Sequence, residues 1–328
     1  MDLIADYDLT ALNTLGLKSV ARYGVVIEEA GIIEALVAES GARGLPFRII
    51  GGGSNLVLPE RLDAIVGLMR ISGRARVPSS PTHTVVTAGA GENWHDFVAW
   101  TVGEGLPGLE NLAGIPGTVG AAPVQNIGAY GIQLSDHFHE LTAFDTETGE
   151  TRSFDRVACG FSYRQSFFKA HPGRYVILSV SLALPHAWQA NRAYPGLDSL
   201  PADADAKTVM DRVVALRASK LPDWEVLGNA GSFFHNPVVT VAIADAIEGA
   251  PRYPQADGTV KLSAGWLIEQ CGLKGERLGP VGMYEGHALV LVNHGGAVAA
   301  DVERFSALVR ERVRERFGVE LIQEPIAF

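Results

Sequence analysis

The stretch GLPGLENLAGIPGTVGAAPVQNIGAYG, residues 105–131, organises our interpretation of the chain. It has too many glycines for the interior of a helix or strand, and too many apolar residues for a solvated linker. Gly114, Gly117 and Gly120 recur at every third position, and Pro116 fixes φ between the first two. Since glycine has no Cβ, backbone N–H groups can approach a ligand closely there. We therefore predict a wall of backbone amides facing a flat or anionic ligand. The alternative is a long irregular surface loop, which is uncommon in a compact domain.

Composition limits the class of protein. The chain has 328 residues, 47% of them hydrophobic, and a formal net charge of −10. Its length favours two or three lobes. The acidic balance argues against broad binding of nucleic acid or anionic membranes, and a small anionic substrate would need a local cationic pocket.

Cysteine usage and the N-terminus bear on cellular location. Cys159 and Cys271 are too far apart in sequence to suggest a metal cluster or a disulfide framework, so we expect reduced thiols and no metal. The first residues lack a basic segment followed by an apolar core. The longest apolar run, residues 175–185, is too short to span a bilayer. These features predict a cytoplasmic protein that does not associate with a membrane.

A second glycine-rich loop, GGGSN at residues 51–55, follows a predicted strand at 47–50. A dinucleotide fingerprint would need a sixth-position glycine, here Leu56, and a helix afterwards. The residues that follow, 57–59, look like a strand instead. The loop is therefore suited to phosphate, but outside a Rossmann unit.

Periodicity predicts the remaining elements. We expect helices at 31–40, after Asn93, after an N-cap at Thr208, at 264–271, and from Asp301 to Gly318. The expected strands are 25–27, 64–68, 84–87, 141–144, 151–154, 175–184 and 287–293. A change of composition after residue 185 places a lobe boundary near 207.

Two polar segments carry candidate chemistry. Arg164 sits in the turn FSYRQS, where its planar fork could clamp a carboxylate, or it could be an ordinary surface arginine. Ser232 lies in GNAGSFFHNP between glycine and two phenylalanines, as a reactive serine or as a capping one. Lys220 and Lys274 are as easily solvated surface charges as ligands.

Taken together, these segments resemble the UDP-N-acetylenolpyruvoylglucosamine reductase family, over nearly the whole chain. The resemblance rests on NTL (13–15), GGGSN (51–55), GAGENW (89–94), residues 108–131, YRQS (163–166), KLP (220–222), NAGSFFHNP (229–237) and YPQADG (253–258). The runs at 123–131 and 231–234 are specific, whereas the triple glycine alone is weak.

The resemblance implies an α+β fold. A FAD-binding module of the vanillyl-alcohol-oxidase type, made of subdomains 1–69 and 70–206, would precede a C-terminal α/β substrate-binding domain at 207–328. It also implies non-covalent FAD, NADPH as hydride donor, a nucleotide-sugar substrate and a monomer. The activity would be reduction of UDP-N-acetylglucosamine enolpyruvate to UDP-N-acetylmuramate in peptidoglycan precursor synthesis.

Matching motifs assign the catalytic roles. Arg164 would stabilise charge on the substrate carboxylate and Ser232 would protonate the α-carbon. The third catalytic group would be Glu324, which we prefer to Glu320 for its distance from Gly318 and the final helix.

The same matching supplies the binding residues. Those expected to bind the cofactor are Gly51, Gly52, Gly53, Ser54, Asn55, Gly114, Ile115, Pro116, Gly117, Thr118, Gly120, Ala121, Asn126, Gly128 and Tyr130. Those expected to bind the substrate are Tyr163, Tyr194, Lys220, Asn236 and Lys274, and Tyr194 suggests the subclass with a substrate-covering tyrosine loop.

Two other functions fit the pattern less well. One is an alcohol or sugar oxidase with a covalent flavin, although neither glycine-rich loop holds a tethering His or Cys. The other is a non-catalytic nucleotide-sugar sensor, against which the joint presence of Arg164, Ser232 and Glu324 argues.

Overall fold

The structure, a computed structural model, describes residues 1–78 and 80–328. Its strands, β1 to β20 in chain order, are Ile4–Asp8, Val20–Ile27, Phe47–Ile50, Leu56–Val57, Arg61–Met69, Arg74–Pro78, His83–Gly89, Gly128–Ala129, Ile132–Gln133, Phe138–Asp145, Glu150–Asp155, Tyr175–Pro185, Gly228–Ser232, Val238–Val239, Arg252–Pro254, Val260–Leu262, Arg277–Leu278, Val281–Met283, Val290–Asn293 and Ile326–Ala327. Its helices, α1 to α9, are Ala30–Arg43, Trp94–Gly103, Leu134–His137, Arg156–Cys159, Phe167–Ala170, Ala206–Lys220, Val241–Asp245, Ala264–Gln270 and Ala299–Phe317. Each helix in these ranges is too short or too polar to cross a bilayer.

The chain forms two compact units. The first contains Met1–Tyr7, Ala21–Gly52 and Asp63–Arg217, and the second contains Asp8–Val20, Gly53–Leu62 and Ala218–Phe328. The units therefore part near the end of α6, whereas the sequence placed a boundary at its start. Two short N-terminal segments join the C-terminal unit, and the sequence gives no local signal for that exchange. The finer division at residues 69 and 206 stays a prediction.

Two sheets build the first unit. One has the strand order β1-β2-β5-β3, with β3 parallel to β5, and the other has the order β11-β10-β12-β7-β6. Strand β12 is the long central strand of the second sheet, and it pairs antiparallel with both β10 and β7. The apolar run that predicted a strand at 175–184 is thus buried between two partners, which explains its lack of alternation.

Helix α2 delivers the chain into residues 105–131. The Asn93 side chain accepts a hydrogen bond from the backbone N–H of Asp96 at 3.0 Å, which confirms the predicted start of this helix. Trp94, Phe97 and Val98 are buried, so one face of α2 is fixed in the core of the first unit. That burial anchors the beginning of the glycine-rich segment.

The second unit has a sheet of strand order β13-β19-β18-β17. Helix α9 covers its core with the stripe Val302, Phe305, Val309 and Val313 at helical spacing, all 1% exposed or less. Gly318 ends α9 in the left-handed conformation, at φ 65°, as the sequence predicted.

One predicted cap is wrong. Thr208 was expected to begin α6, but the helix starts at Ala206. The Asp205 carboxylate accepts from the backbone N–H of Thr208 at 2.7 Å, so the aspartate three residues earlier makes the capping bond. Both residue types are good caps, and only the start of the helix distinguishes them.

Candidate functional site

The two glycine-rich loops meet in the first unit, where Gly51 and Gly52 of one loop approach Gly117 and Thr118 of the other. A Cβ on Gly52 would lie 2.7 Å from the Cα of Gly117, and one on Gly51 would lie 2.3 Å from the Thr118 hydroxyl. The contact at Gly52 is with backbone, so a side chain there would force one of the two loops to shift, and only glycine permits this approach. The structure therefore brings together two segments that the sequence linked only through resemblance.

Backbone donors remain available where these loops meet. The N–H groups of Gly52, Gly117 and Thr118 donate to no residue within 1–78 and 80–328. By contrast, Val119 and Gly120 donate to the carbonyls of Glu92 and Ala90, both at 2.9 Å, and so fix the loop to its neighbours. A loop that some of its amides fix in place, while neighbouring amides keep their hydrogens available, is suited to an anionic ligand.

Arg217 is a residue that the sequence analysis missed. Its Nε donates to the Gly114 carbonyl at 3.0 Å, and its side chain lies against the position where a Gly114 Cβ would stand. In the described ranges no carboxylate pairs with it, and burial lowers the pKa of its guanidinium. A half-buried cation without an acid partner, beside a loop of open amides, marks a place for an anion.

A signal for Arg217 was present in the sequence. Val209 and Val213 are both fully buried on α6, and Arg217 is the next residue at the same four-residue spacing. A charged residue that continues an apolar helical stripe has to lie against the protein body rather than in bulk water.

The other predicted cofactor residues differ in surroundings. Asn126 is 1% exposed, and its side chain is spent on Gln133, the Ser162 carbonyl and the Ser135 amide. Asn126 therefore connects the loops that carry these residues.

The remaining predicted cofactor residues differ in exposure. Ile115 and Gly128 are half-buried, and Pro116 and Ala121 are exposed. Gly53, Ser54 and Asn55 belong to the second unit, where the Asn55 amide donates to the Glu324 carbonyl at 3.3 Å.

Arg164 occupies a strained turn in the first unit. Its φ is 55°, in the left-handed region, which is uncommon for a residue with a side chain. Its Nη2 donates to the Gly128 carbonyl at 3.2 Å, and its guanidinium carbon lies 5.6 Å from the ring centroid of Tyr163. Strain of this kind is concentrated at functional sites.

Tyr194 lies on a segment that is tied to the glycine-rich loop. Its ring meets that of Tyr130 edge-on, with centroids 4.8 Å apart, and Tyr130 itself has φ 50°. Upstream, the Trp188 indole donates to the buried Glu110 carboxylate at 3.0 Å, and the Asn111 amide donates to the Asn191 carbonyl at 3.1 Å. The tyrosine is thus held near its loop while 38% of it stays exposed.

Ser232 ends strand β13 in the second unit. The pairing of β13 with β19 shifts register between Asn229 and Ser232, and Gly231 has φ 68°, so the strand bulges just before the serine. Within the described part of the chain the Ser232 hydroxyl makes no hydrogen bond, whereas the next residue, Phe233, is fully buried. Ser232 is therefore not a capping serine.

Glu324 lies beside this strand. Its backbone N–H donates to the Phe233 carbonyl at 2.9 Å, one residue from Ser232. Glu320, the rejected alternative, is exposed, and its carboxylate is 3.9 Å from Arg314 of helix α9. The geometry brings Glu324, and not Glu320, next to the serine-bearing strand.

Two of the predicted substrate-binding residues of the second unit, Lys220 and Lys274, act electrostatically on a histidine that the sequence analysis overlooked, His287. Burial, and then the charges of Lys220 and Lys274, lower the pKa of His287. The Asn236 side-chain carbonyl oxygen accepts from the Ala264 N–H at 2.9 Å, and among the described residues its amide hydrogens have no acceptor. Lys274 also pairs with Glu269 at 3.0 Å. His287 had no motif that would have singled it out.

Comparison with known proteins identifies the family. The chain is 49% identical, over 99% of its length and 97% of the relative, to the UDP-N-acetylenolpyruvoylglucosamine reductase of Azoarcus sp.. It belongs to the UDP-N-acetylenolpyruvoylglucosamine reductase family. A reductase from Burkholderia vietnamiensis is 48% identical over 99% of the chain and 97% of its own.

Models of the family's domains match the same chain. Residues 222–328 match the C-terminal domain of the reductase, and residues 22–155 match a FAD binding domain. The solved reductase of Thermus caldophilus superposes with a TM-score of 0.68 at 24% identity, covering 100% of this chain and 98% of its own. The predicted fold class is confirmed, while the roles of individual residues stay predictions.

Proposed function

We propose that this reductase transfers hydride from NADPH, through FAD, to UDP-N-acetylglucosamine enolpyruvate. The product is UDP-N-acetylmuramate, a precursor of peptidoglycan. The observation that carries the proposal is the near full-length identity of 49% to a named reductase. The open amides, the strained arginine and the unbonded serine described above support it independently.

The first unit fits FAD. The glycines at 51–52 and 117 let two backbones meet, nearby amides are open, and Arg217 supplies a cation with no acid partner in the described residues. An electron-rich or phosphate-bearing group satisfies these needs. When bound, FAD supplies hydride-transfer chemistry between NADPH and the substrate.

Arg164 stabilises the charge that develops in the reaction. Addition of hydride to the terminal carbon of the enolpyruvyl group pushes negative charge onto the substrate carboxylate. A guanidinium matches a carboxylate with two parallel N–H donors. Because its backbone and one Nη are already fixed, little reorganisation is needed when the charge appears.

Ser232 completes the reduction by giving its hydroxyl proton to the α-carbon, so that hydride and proton together add two hydrogens. A serine hydroxyl is a weak acid, so neighbouring groups have to assist the transfer. The Glu324 backbone lies one residue from Ser232, which supports this glutamate as the third catalytic group.

Lys220, Lys274 and Asn236 of the second unit are suited to the substrate diphosphate. The charges of both lysines contribute to the lowered pKa of His287, and within residues 1–78 and 80–328 the Asn236 amide hydrogens have no acceptor. We assign these residues to the diphosphate, with Tyr194 and Tyr163 as further substrate contacts. His287 is an addition to the residues that the sequence singled out.

We also propose that the protein works in the cytoplasm as a monomer. The two cysteines of the chain, Cys159 and Cys271, are both free thiols, which supports a reducing compartment. Light scattering on the holoenzyme tests the monomer directly, and a dimer mass would contradict it.

The reaction itself is tested by product mass. Purified protein is incubated with NADPH and the enolpyruvyl substrate, and the product should be heavier by two hydrogens only when NADPH is present. FAD should be released intact on acid precipitation. A product without the mass gain, or a flavin that stays with the precipitate, would contradict the proposal.

A further inference from the structure

The backbone of Arg164 needs an external restraint. A left-handed φ of 55° is unfavourable for a residue with a side chain, relative to ordinary backbone conformations. Left to itself the turn would relax, and the direction of the guanidinium would change with it. Something in the surroundings must therefore over-determine this conformation.

Lys169 supplies such a restraint. Its ammonium donates to the Arg164 carbonyl at 2.9 Å and to the Gln125 side-chain oxygen at 3.0 Å. Gln125 is 8% exposed and precedes Asn126, which also has a positive φ of 42°. The lysine thus joins the strained turn to a buried point of the glycine-rich segment.

The lysine is itself aimed by local structure. Ser166 caps helix α5 by accepting from the Lys169 N–H at 3.2 Å, and the same hydroxyl donates to the Val124 carbonyl at 2.8 Å. Asn126 adds a bond to the Ser162 carbonyl at 3.1 Å. Together with the bond from Arg164 to the Gly128 carbonyl, these bonds connect the two segments, and the Lys169 ammonium is bound to the peptide carbonyl of Arg164.

We propose that Lys169 is a positioning residue for the reaction, acting through Arg164, with Gln125 as the acceptor that aims it. This proposal rests on the proposed function, in which Arg164 meets the substrate carboxylate. The Lys169 ammonium donates to the Arg164 carbonyl and so keeps the backbone of the turn in its strained conformation. The Arg164 side chain then keeps one orientation. Without the ammonium the turn relaxes, and the Arg164 guanidinium moves away from the position of the substrate carboxylate.

The test compares Lys169→Met with Lys169→Arg in the holoenzyme, with Lys207→Met as a matched control. Lys207 is an exposed lysine that pairs with Asp211 on α6. Flavin reduction by NADPH and flavin reoxidation by the enolpyruvyl substrate are timed separately, and the melting temperature is recorded.

We expect Lys169→Met to slow reoxidation by about 10–100-fold, since small misplacements cost that much, while flavin reduction changes less than about twofold. Lys169→Arg, which keeps a donor, should recover most of the rate, and the control should match wild type. Reoxidation of Lys169→Met at the wild-type rate would overturn the proposal. So would an equal fall of both half-reactions together with the melting temperature, because that pattern means a purely structural lysine.

Two further measurements keep the outcomes separate. If Lys169→Met does not fold, Gln125→Met removes the acceptor that aims the lysine and should show the same selective loss at a smaller size, about threefold to tenfold. Wild-type reoxidation there would overturn the proposal. Failure of the wild-type protein to be reoxidised by the substrate would instead refute the proposed function.

Discussion

Arg164 and Ser232 are held by opposite means. Arg164 lies in an irregular turn with a strained φ, and side-chain hydrogen bonds from Lys169, Ser166 and Asn126 hold that turn. Ser232 ends a strand whose position is set by backbone pairing with β19 and by the buried Phe233 beside it. A turn fixed by side chains is sensitive to distant substitutions, whereas a strand fixed by backbone tolerates them. We therefore expect distant substitutions to impair the role of Arg164 more than that of Ser232.

The largest effect should come from Ser232→Ala. Reoxidation of the flavin by the substrate should fall by about 10²–10⁴-fold, because the proton donor is gone, and reduction by NADPH should persist. The surrounding strand should stay intact, so the melting temperature should hold. Ser153→Ala, at an exposed serine of β11, is the control. Equal loss of both half-reactions would count against Ser232 as the donor.

Arg164→Lys should have the next largest effect. The charge is kept, but the planar fork is lost, so reoxidation should fall by about 10–100-fold with the substrate carboxylate less well held. The rates of the two half-reactions are measured as for the serine. Arg152→Lys, at an exposed arginine of β11, serves as control. An unchanged reoxidation rate would mean that Arg164 does not hold the carboxylate.

Gly52→Ala tests the cofactor side of the first unit. The new Cβ would meet the Gly117 backbone at 2.7 Å, so one of the loops has to move. We expect weaker FAD retention and a stability loss of about 1–3 kcal/mol, measured by fluorescence titration and by denaturant. Gly31→Ala, where a Cβ meets nothing within 4 Å, is the control. Normal FAD affinity in Gly52→Ala would contradict the close packing of the loops.

The smallest expected effect is a change in how the stability of the protein depends on pH. Burial lowers the pKa of His137 in the first unit, and burial with two lysines lowers that of His287 in the second. As pH falls through the ordinary pKa of histidine, the unfolded chain therefore takes up more protons than the folded chain does. The free energy of unfolding should decrease over that range and recover as pH rises. His287→Gln should reduce the acid sensitivity of the melting temperature. An unchanged pH profile would contradict the burial of this histidine.

The same comparison shows what the sequence can and cannot predict. Helix α9 and strand β12 were predicted because their apolar patterns are local and long. The strained φ of Arg164 was not, because Lys169, which binds its carbonyl, is itself held by Gln125, a residue 44 positions away. Arg217 and His287 were missed for a related reason. Their importance comes from neighbours supplied by other segments, and no short motif records those.

The cap at Asp205 and the placement of two N-terminal segments could not be predicted from local sequence either. Thr208 and Asp205 both suit a helix start, and local chemistry could not choose between them. Segments Asp8–Val20 and Gly53–Leu62 join the second unit through pairings such as β4 with β20, which lie far apart in sequence. Non-local pairing is the part of a fold that periodicity does not contain.

The most direct test of the account is an anaerobic spectrum of the wild-type holoenzyme, taken after NADPH and again after the enolpyruvyl substrate. We expect the visible flavin bands to bleach with NADPH and to return with the substrate. Bands that bleach and never return would contradict the assigned reaction while leaving a flavoprotein. A colourless protein that takes up no added FAD would contradict the account as a whole.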